Sequence, residues 1–87
     1  MKDITMFSIE ACPYCKEAQR WMEMLFVERP EYRGLRIEVI DEQVFPDIAA
    51  KFDYYYVPTY YVGGEKLHEG AASLKKIRRV FEAAMGD

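Results

Sequence analysis

The chain has 87 residues, of which 51% are hydrophobic and 31% charged, a balance that predicts one globular domain over residues 1–87 and excludes a disordered or fibrous chain. Its 12 basic and 15 acidic residues give a formal charge of −3, which argues against nucleic acid as a partner, because such binding usually needs a basic surface. No apolar run approaches the ~18 residues of a membrane helix and no leader opens the chain, so we expect a cytoplasmic protein without a membrane partner.

The only two cysteines, Cys12 and Cys15, are separated by two residues, and the single histidine, His68, lies far along the chain. Disulfide-stabilised secreted domains typically carry about four to eight cysteines, so the chain is not of that class. One protomer does not supply a tetrahedral set of zinc ligands, and we expect no metal site. The isolated pair is typical of redox chemistry, with two buried structural cysteines as the less favoured alternative.

The hydrophobic pattern predicts elements in the order β-α-β-α-β-β-α. An apolar run over residues 4–9 predicts the first strand. Apolar residues at three- and four-residue steps behind Pro13 predict an amphipathic helix that ends before Pro30. Alternation from residue 35 predicts a second strand that ends near Asp41, with Leu35, Ile37 and Val39 on one side.

The second half of the chain predicts a short helix, two strands and a last helix. The helix covers residues 45–52, with Ile48, Ala49 and Phe52 directed inward. Residues 59–62 and 65–69 predict two antiparallel strands, because the Gly63-Gly64 pair between them is typical of a tight hairpin. Ser73 is placed to cap the last helix. We expect a four-stranded mixed sheet flanked by three helices, with its chemistry at the carboxyl end of the first strand, where Cys12 falls.

Three short motifs make the sequence similar to a known family. The CPYC motif at residues 12–15, the Tyr-Val-Pro at residues 56–58 and the Gly-Gly at residues 63–64 are similar to those of the glutaredoxin branch of the thioredoxin superfamily. The resemblance runs over essentially the whole chain. It implies an α/β thioredoxin fold in a single glutaredoxin-like domain.

The same resemblance implies the catalytic roles. Cys12 would be the nucleophile, Cys15 the resolving cysteine, and the Val57–Pro58 peptide bond would be cis. The position of Cys12 ahead of a helix agrees with this, since the N–H groups and the dipole at a helix N-terminus favour a thiolate.

Substrate contacts are expected from residues near the two motifs. The backbone at Val57 would present hydrogen-bonding groups to an extended substrate. The Tyr14 ring either packs against the substrate or joins the core, and the tyrosines at 54–61 are likewise divided between a substrate platform and ordinary packing. The candidate substrate-binding residues are Pro13, Tyr14, Tyr56, Val57, Pro58 and Gly70.

Two departures from the glutaredoxin pattern concern glutathione. Glutaredoxins commonly have a Lys three residues before the first cysteine and acidic residues after the fourth strand. Ile9 stands at the first position, and Ala72 and Ser73 at the second, so both ionic anchors for glutathione are missing. We expect no tightly bound cofactor, and we expect glutathione as a reductant to bind weakly.

The sequence therefore predicts a small, monomeric dithiol oxidoreductase that reduces protein disulfides. Its reductant is either glutathione or a flavoprotein of the thioredoxin-reductase type, and Gly70-Ala71 before a Ser-capped helix is closer to the redoxins that such a flavoprotein reduces. The alternative from another class is an iron–sulfur cluster carrier. Pro13 disfavours it, because cluster-binding relatives typically have Gly or Ser in the motif.

Overall fold

The computed structural model describes residues 1–86, in which the helices and strands follow the predicted order. The elements are β1 Ile4–Ser8, α1 Pro13–Glu28, β2 Ile37–Asp41, α2 Pro46–Ala49, β3 Thr59–Val62, β4 Glu65–Glu69 and α3 Leu74–Met85. A 3₁₀ helix, Pro30–Gly34, joins α1 to β2. This turn was not predicted, because Pro30 and Gly34 mark the end of a helix equally well. No helix among residues 1–86 is both long and apolar enough to cross a bilayer.

The four strands form one mixed sheet in the order β2-β1-β3-β4. β1 is parallel to β2 and antiparallel to β3, and β3 is antiparallel to β4, as predicted. Ser8 at the end of β1 is in register with Asp41 at the end of β2, and Phe7 is in register with Thr59 at the start of β3. The carboxyl ends of β1 and β2 and the start of β3 therefore lie at the same end of the sheet, where the Cys12 turn begins.

Both faces of the sheet are covered. Tyr60 belongs to the larger core cluster, which contains residues of α1 and α3, whereas Tyr61 belongs to a smaller cluster with Phe7 and Ile40. This confirms that the two tyrosines point to opposite faces, as strand alternation requires. Burial of one large apolar side chain contributes about 1.5–3 kcal/mol, so both faces hold the sheet in place.

Strand β2 and helix α2 differ in detail from the prediction, and the inward direction expected of Ile48 is wrong. Val39 is 44% exposed and Ile40 is the buried residue, because β2 lies at the sheet edge and has a neighbouring strand on one side only. The strand also begins at Ile37, with Leu35 buried ahead of it. Helix α2 is a single turn rather than the predicted eight residues. Ile48 is 40% exposed, whereas Ala49 and Phe52 pack against the smaller core cluster as expected.

The local turn signals of the second half are confirmed. Gly63 and Gly64 have φ angles of +56° and +87°, which L residues with side chains rarely adopt, so the hairpin depends on the Gly pair. Ser73 caps α3, its hydroxyl oxygen accepting a 3.1 Å hydrogen bond from the Lys76 N–H. This cap fixes where the last helix begins.

Candidate active site

The Cys12 turn joins the end of β1 to α1. The Cys12 N–H donates a 3.0 Å hydrogen bond to the Ile9 carbonyl oxygen. The Cys12 carbonyl oxygen accepts bonds of 3.1 Å from the N–H groups of both Cys15 and Lys16, which opens the helix. Pro13 occupies the first helical position, where its missing N–H leaves no bond unmade. Cys12 thus caps the helix, and Cys15 lies within its first turn.

The two thiols have different surroundings. Cys12 is half-buried, whereas Cys15 is 3% exposed, and both are free. Burial is the main cause that raises the pKa of Cys15 to about 12. The Cys12 side chain and the charge of Glu42 also raise this pKa, whereas a hydrogen bond with the Ile9 backbone lowers it. At neutral pH Cys15 is a protonated thiol inside the protein, and Cys12 is the sulfur that solvent reaches.

Residues at the end of β2 hold the chain that leads to Cys12. The Asp41 carboxylate accepts hydrogen bonds from the N–H groups of Glu10 and Gln43, at 3.1 and 2.8 Å. The Glu42 N–H donates to the Ser8 carbonyl oxygen at 3.0 Å. Asp41 and Glu42 were not predicted as part of the site, although an acidic pair at the end of a parallel strand is a signal that the sequence offers. A groove of about 370 Å³ beside the turn is lined by Glu10, Ala11, Lys16, Asp41, Gln43 and Val44.

The peptide bond between Val57 and Pro58 is cis, which confirms the prediction made from the motif. Pro58 is buried, and its carbonyl oxygen accepts a 2.9 Å hydrogen bond from the Gly70 N–H. Because Thr59 pairs with Phe7, this proline lies at the end of β1 that leads to Cys12. Among the described residues, none forms a hydrogen bond with the Val57 backbone.

The tyrosines divide between the surface and the core. Tyr14 and Tyr56 are 57% and 70% exposed, so neither is an ordinary core residue. The Tyr54 ring instead stacks on Phe7, with centroids 4.8 Å apart, and its hydroxyl donates a 2.9 Å hydrogen bond to Glu42. Of the two alternatives for Tyr14, membership of the core is excluded, and its ring lies exposed beside the cysteine motif.

Comparison with known proteins identifies the family. A family model described as the thioredoxin domain matches residues 2–82. The chain belongs to the thioredoxin domain family. The prediction of the superfamily from the CPYC motif is confirmed at this level, and the glutaredoxin subtype stays a prediction. No curated protein matches the chain.

Solved structures show the same thioredoxin fold. The oxidised thioredoxin of Plasmodium falciparum has a TM-score of 0.74 at 18% identity, covering 98% of this chain and 82% of that one. Mitochondrial thioredoxin 3 of Saccharomyces cerevisiae also has a TM-score of 0.74, at 22% identity, with coverages of 94% and 77%. A thioredoxin-like protein from Clostridium perfringens is 26% identical, with a TM-score of 0.71 and coverages of 97% and 71%. The predicted four-stranded fold is confirmed.

The positions expected to lack glutathione anchors carry no charge in this thioredoxin domain. Ile9 is half-buried, Ala72 packs against the core, and the Ser73 hydroxyl is engaged in capping α3. Gly70 has a φ of +94°, and a Cβ there would lie 3.8 Å from the Tyr56 Cβ. That distance is an ordinary van der Waals contact, so the positive φ, and not a lack of space, is what favours glycine at this position.

The single histidine, His68, lies on the edge strand β4. It is half-buried on β4, and its Nε2 lies 2.8 Å from the Gly70 carbonyl oxygen. This contact gives it a structural role at the end of β4. Among residues 1–86, His, Cys, Asp and Glu form no group of three or more that could hold a metal ion.

Proposed function

We propose that this thioredoxin-domain protein is a small dithiol oxidoreductase that reduces protein disulfides through Cys12 and Cys15. The observation that carries the proposal is the contrast between the two thiols in one helical turn. Cys12 is accessible at the N-terminus of α1, whereas Cys15 is buried beneath it with its pKa raised to about 12. One sulfur is suited to attack a substrate and the other to resolve the product.

In the first step the Cys12 thiolate attacks one sulfur of the substrate disulfide. A bond forms between Cys12 and that sulfur, the substrate S–S bond breaks, and the second substrate sulfur leaves as a thiolate. Cys12 stands at the N-terminus of α1, the end of a helix whose dipole favours negative charge. The neutral Cys15 thiol does not compete as a nucleophile at this stage.

In the second step Cys15 resolves the mixed disulfide. Its sulfur attacks Cys12, a Cys12–Cys15 bond forms, and the remaining substrate sulfur is released. The proton that Cys15 gives up is taken by one departing substrate thiolate, and the proton that Cys12 released to solvent on ionising is regained by the other, so that two substrate thiols are produced in all. The protein loses two electrons and two protons, and a reductant must restore its dithiol.

The surroundings of the cysteines favour an extended polypeptide as substrate. The Val57 backbone has no hydrogen-bond partner among the described residues and lies beside the Cys12 end of β1. An extended chain could pair with it as a short added strand. The exposed rings of Tyr14 and Tyr56 would then cover apolar parts of the substrate.

A flavoprotein reductase is the reductant that the site favours over glutathione. Glutathione carries two carboxylates and an α-ammonium group, and a charge-assisted hydrogen bond to a group of this kind is worth about 1.5–3 kcal/mol. Neither Ile9 nor Ala72 and Ser73 supplies the corresponding charge. The protein would therefore resemble a glutaredoxin in its motif but depend on a dithiol or flavoprotein for recycling, without a tightly bound cofactor.

The experiment is an NADPH-coupled reduction of a protein disulfide in parallel arms. One arm contains thioredoxin reductase, one contains glutathione with glutathione reductase, and a third replaces both with dithiothreitol. We expect turnover with dithiothreitol and with thioredoxin reductase, and slow turnover with glutathione. Cys12→Ser is the inactive control. No reduction in any arm would contradict the activity, and a fast glutathione arm would contradict the proposed reductant.

A further inference from the structure

Glu69, the last residue of β4, is attached to the loop that precedes the cis peptide bond. One oxygen of its carboxylate accepts hydrogen bonds from the backbone N–H groups of Tyr55 and Tyr56, at 2.5 and 3.0 Å. The other accepts a 2.7 Å bond from Lys66 Nζ. The side chains of Glu69 and Lys66 are 20% and 35% exposed, so the pair lies partly out of water.

Side chains of β3 and β4 hold the rest of this loop. Lys66 Nζ also donates to the Asp53 carbonyl oxygen at 3.2 Å, and the Tyr61 hydroxyl donates to the same oxygen at 2.7 Å. The Thr59 hydroxyl donates to the Tyr56 carbonyl oxygen at 2.5 Å. The loop is therefore fixed at both ends, with Glu69 in the middle.

These contacts decide which backbone groups remain for a substrate. The N–H groups of Tyr55 and Tyr56 face Glu69, and the Tyr56 carbonyl faces Thr59. The next residue, Val57, is the one whose backbone has no such partner among residues 1–86. The Tyr56 side chain is directed outward at the same time, with 70% of it exposed.

We propose that Glu69 is a positioning residue for extended protein substrates, which turns the loop so that the Val57 backbone and the Tyr56 ring face the substrate beside Cys12. The inference deepens the proposed function and rests on it. A small disulfide without a polypeptide chain has no use for the Val57 backbone. Glu69 should therefore matter for protein substrates far more than for small ones.

The groups around Glu69 stabilise its negative charge. Lys66 and the two loop N–H groups lower the pKa of Glu69 to about 2, from an ordinary value of about 4.5. Tyr61 of β3 and Asp53 of the loop also face Lys66. Because the folded-state pKa is lowered, the stabilising effect of this carboxylate is complete above about pH 4.5 and is lost as the pH falls toward 2. The hydrogen bonds from the loop to the Glu69 carboxylate are therefore intact at neutral pH.

The test compares Glu69→Met, which removes the acceptor, with Glu69→Gln, which keeps one acceptor oxygen. Glu65→Gln is the matched control, since Glu65 is exposed on the same strand. Each is assayed with a disulfide-containing protein and with bis(2-hydroxyethyl) disulfide. We expect Glu69→Met to raise KM for the protein about tenfold with little change in kcat, Glu69→Gln to restore part of the loss, and Glu65→Gln to behave as the wild type.

Amide NMR of the wild type is an independent readout, because the Tyr55 and Tyr56 N–H shifts should titrate together with a midpoint near pH 2. The inference is overturned if those shifts ignore the Glu69 titration, or if Glu69→Met raises KM for both disulfides equally. If Glu69→Met does not fold, Glu69→Gln and the titration decide. If the wild type reduces neither disulfide, the proposed function is overturned. If the wild type reduces both disulfides and the folded Glu69 variants keep its KM, only the role of Glu69 is overturned.

Discussion

The Cys15 N–H donates a 3.1 Å hydrogen bond to the carbonyl oxygen of Cys12, so the two cysteines share the first turn of α1. Cys12 is half-buried, whereas Cys15 is 3% exposed. Two identical side chains therefore differ in their contact with water, and burial raises the pKa of Cys15 to about 12. This inequality gives the pair its expected order of reaction.

The first prediction concerns alkylation of the reduced protein. Iodoacetamide at about pH 7 should modify Cys12 and leave Cys15 unmodified, because alkylation requires a thiolate that the reagent can reach. Since burial raises the pKa of Cys15 to about 12, reaction at Cys15 in the folded protein should grow only as the pH rises toward that value. Peptide mass spectrometry of the alkylated protein locates the label. Labelling of Cys15 ahead of Cys12 would reverse the assignment.

A second prediction separates the two reaction steps. Cys15→Ser should accumulate a mixed disulfide between Cys12 and the substrate, because no thiol remains to attack Cys12. Cys12→Ser is the matched control and should accumulate none, since Cys15 is 3% exposed. Non-reducing electrophoresis after mixing with a protein disulfide measures the adduct. An equally abundant adduct in both variants would show that the roles of the cysteines are not distinct.

Local signals allowed much of this fold to be predicted. Pro13 at the first helical position, the positive φ of Gly63 and Gly64, and the Ser73 cap are determined by residues close in sequence. Each limits the backbone directly, whatever the rest of the chain does. The start of α1, and with it the location of Cys12, could be read in the same way.

The parts that were missed depend on contacts between distant residues. Glu69 binds N–H groups 13 and 14 positions away, and Asp41 binds one 31 positions away. The hydrophobic pattern of a sequence does not predict which distant loop will donate hydrogen bonds to a given carboxylate. The exposure of Val39 likewise depends on β2 being an edge strand, which is a property of the sheet and not of the strand.

A third prediction tests the missing glutathione anchor. Ile9→Lys introduces a cation three residues before Cys12 and should raise kcat/KM for glutathione about tenfold, the effect of one charge-assisted contact. Ile9→Met is the neutral control and should leave the rate low. The coupled assay with glutathione reductase measures both variants. Equal rates for the two would show that glutathione does not approach along this side of the turn.

A fourth prediction concerns stability. Ser73→Ala removes the hydroxyl oxygen that accepts from the Lys76 N–H and should lower the free energy of unfolding by about 1 kcal/mol. Ser73→Asp keeps an acceptor at the helix N-terminus and should preserve stability. Urea unfolding followed by circular dichroism gives both values. An Ala variant as stable as the wild type would mean that the cap contributes little to α3.

The thiol stoichiometry of a single turnover tests the central claim most directly. Reduced protein is mixed with an excess of a disulfide substrate, the released thiols are counted, and the intact mass of the protein is measured. The Cys12/Cys15 mechanism predicts about two substrate thiols per protein and an unadducted chain lighter by about two mass units, from the new intramolecular disulfide. A chain that keeps a stable substrate adduct on Cys12, with about one thiol released, would contradict a dithiol mechanism.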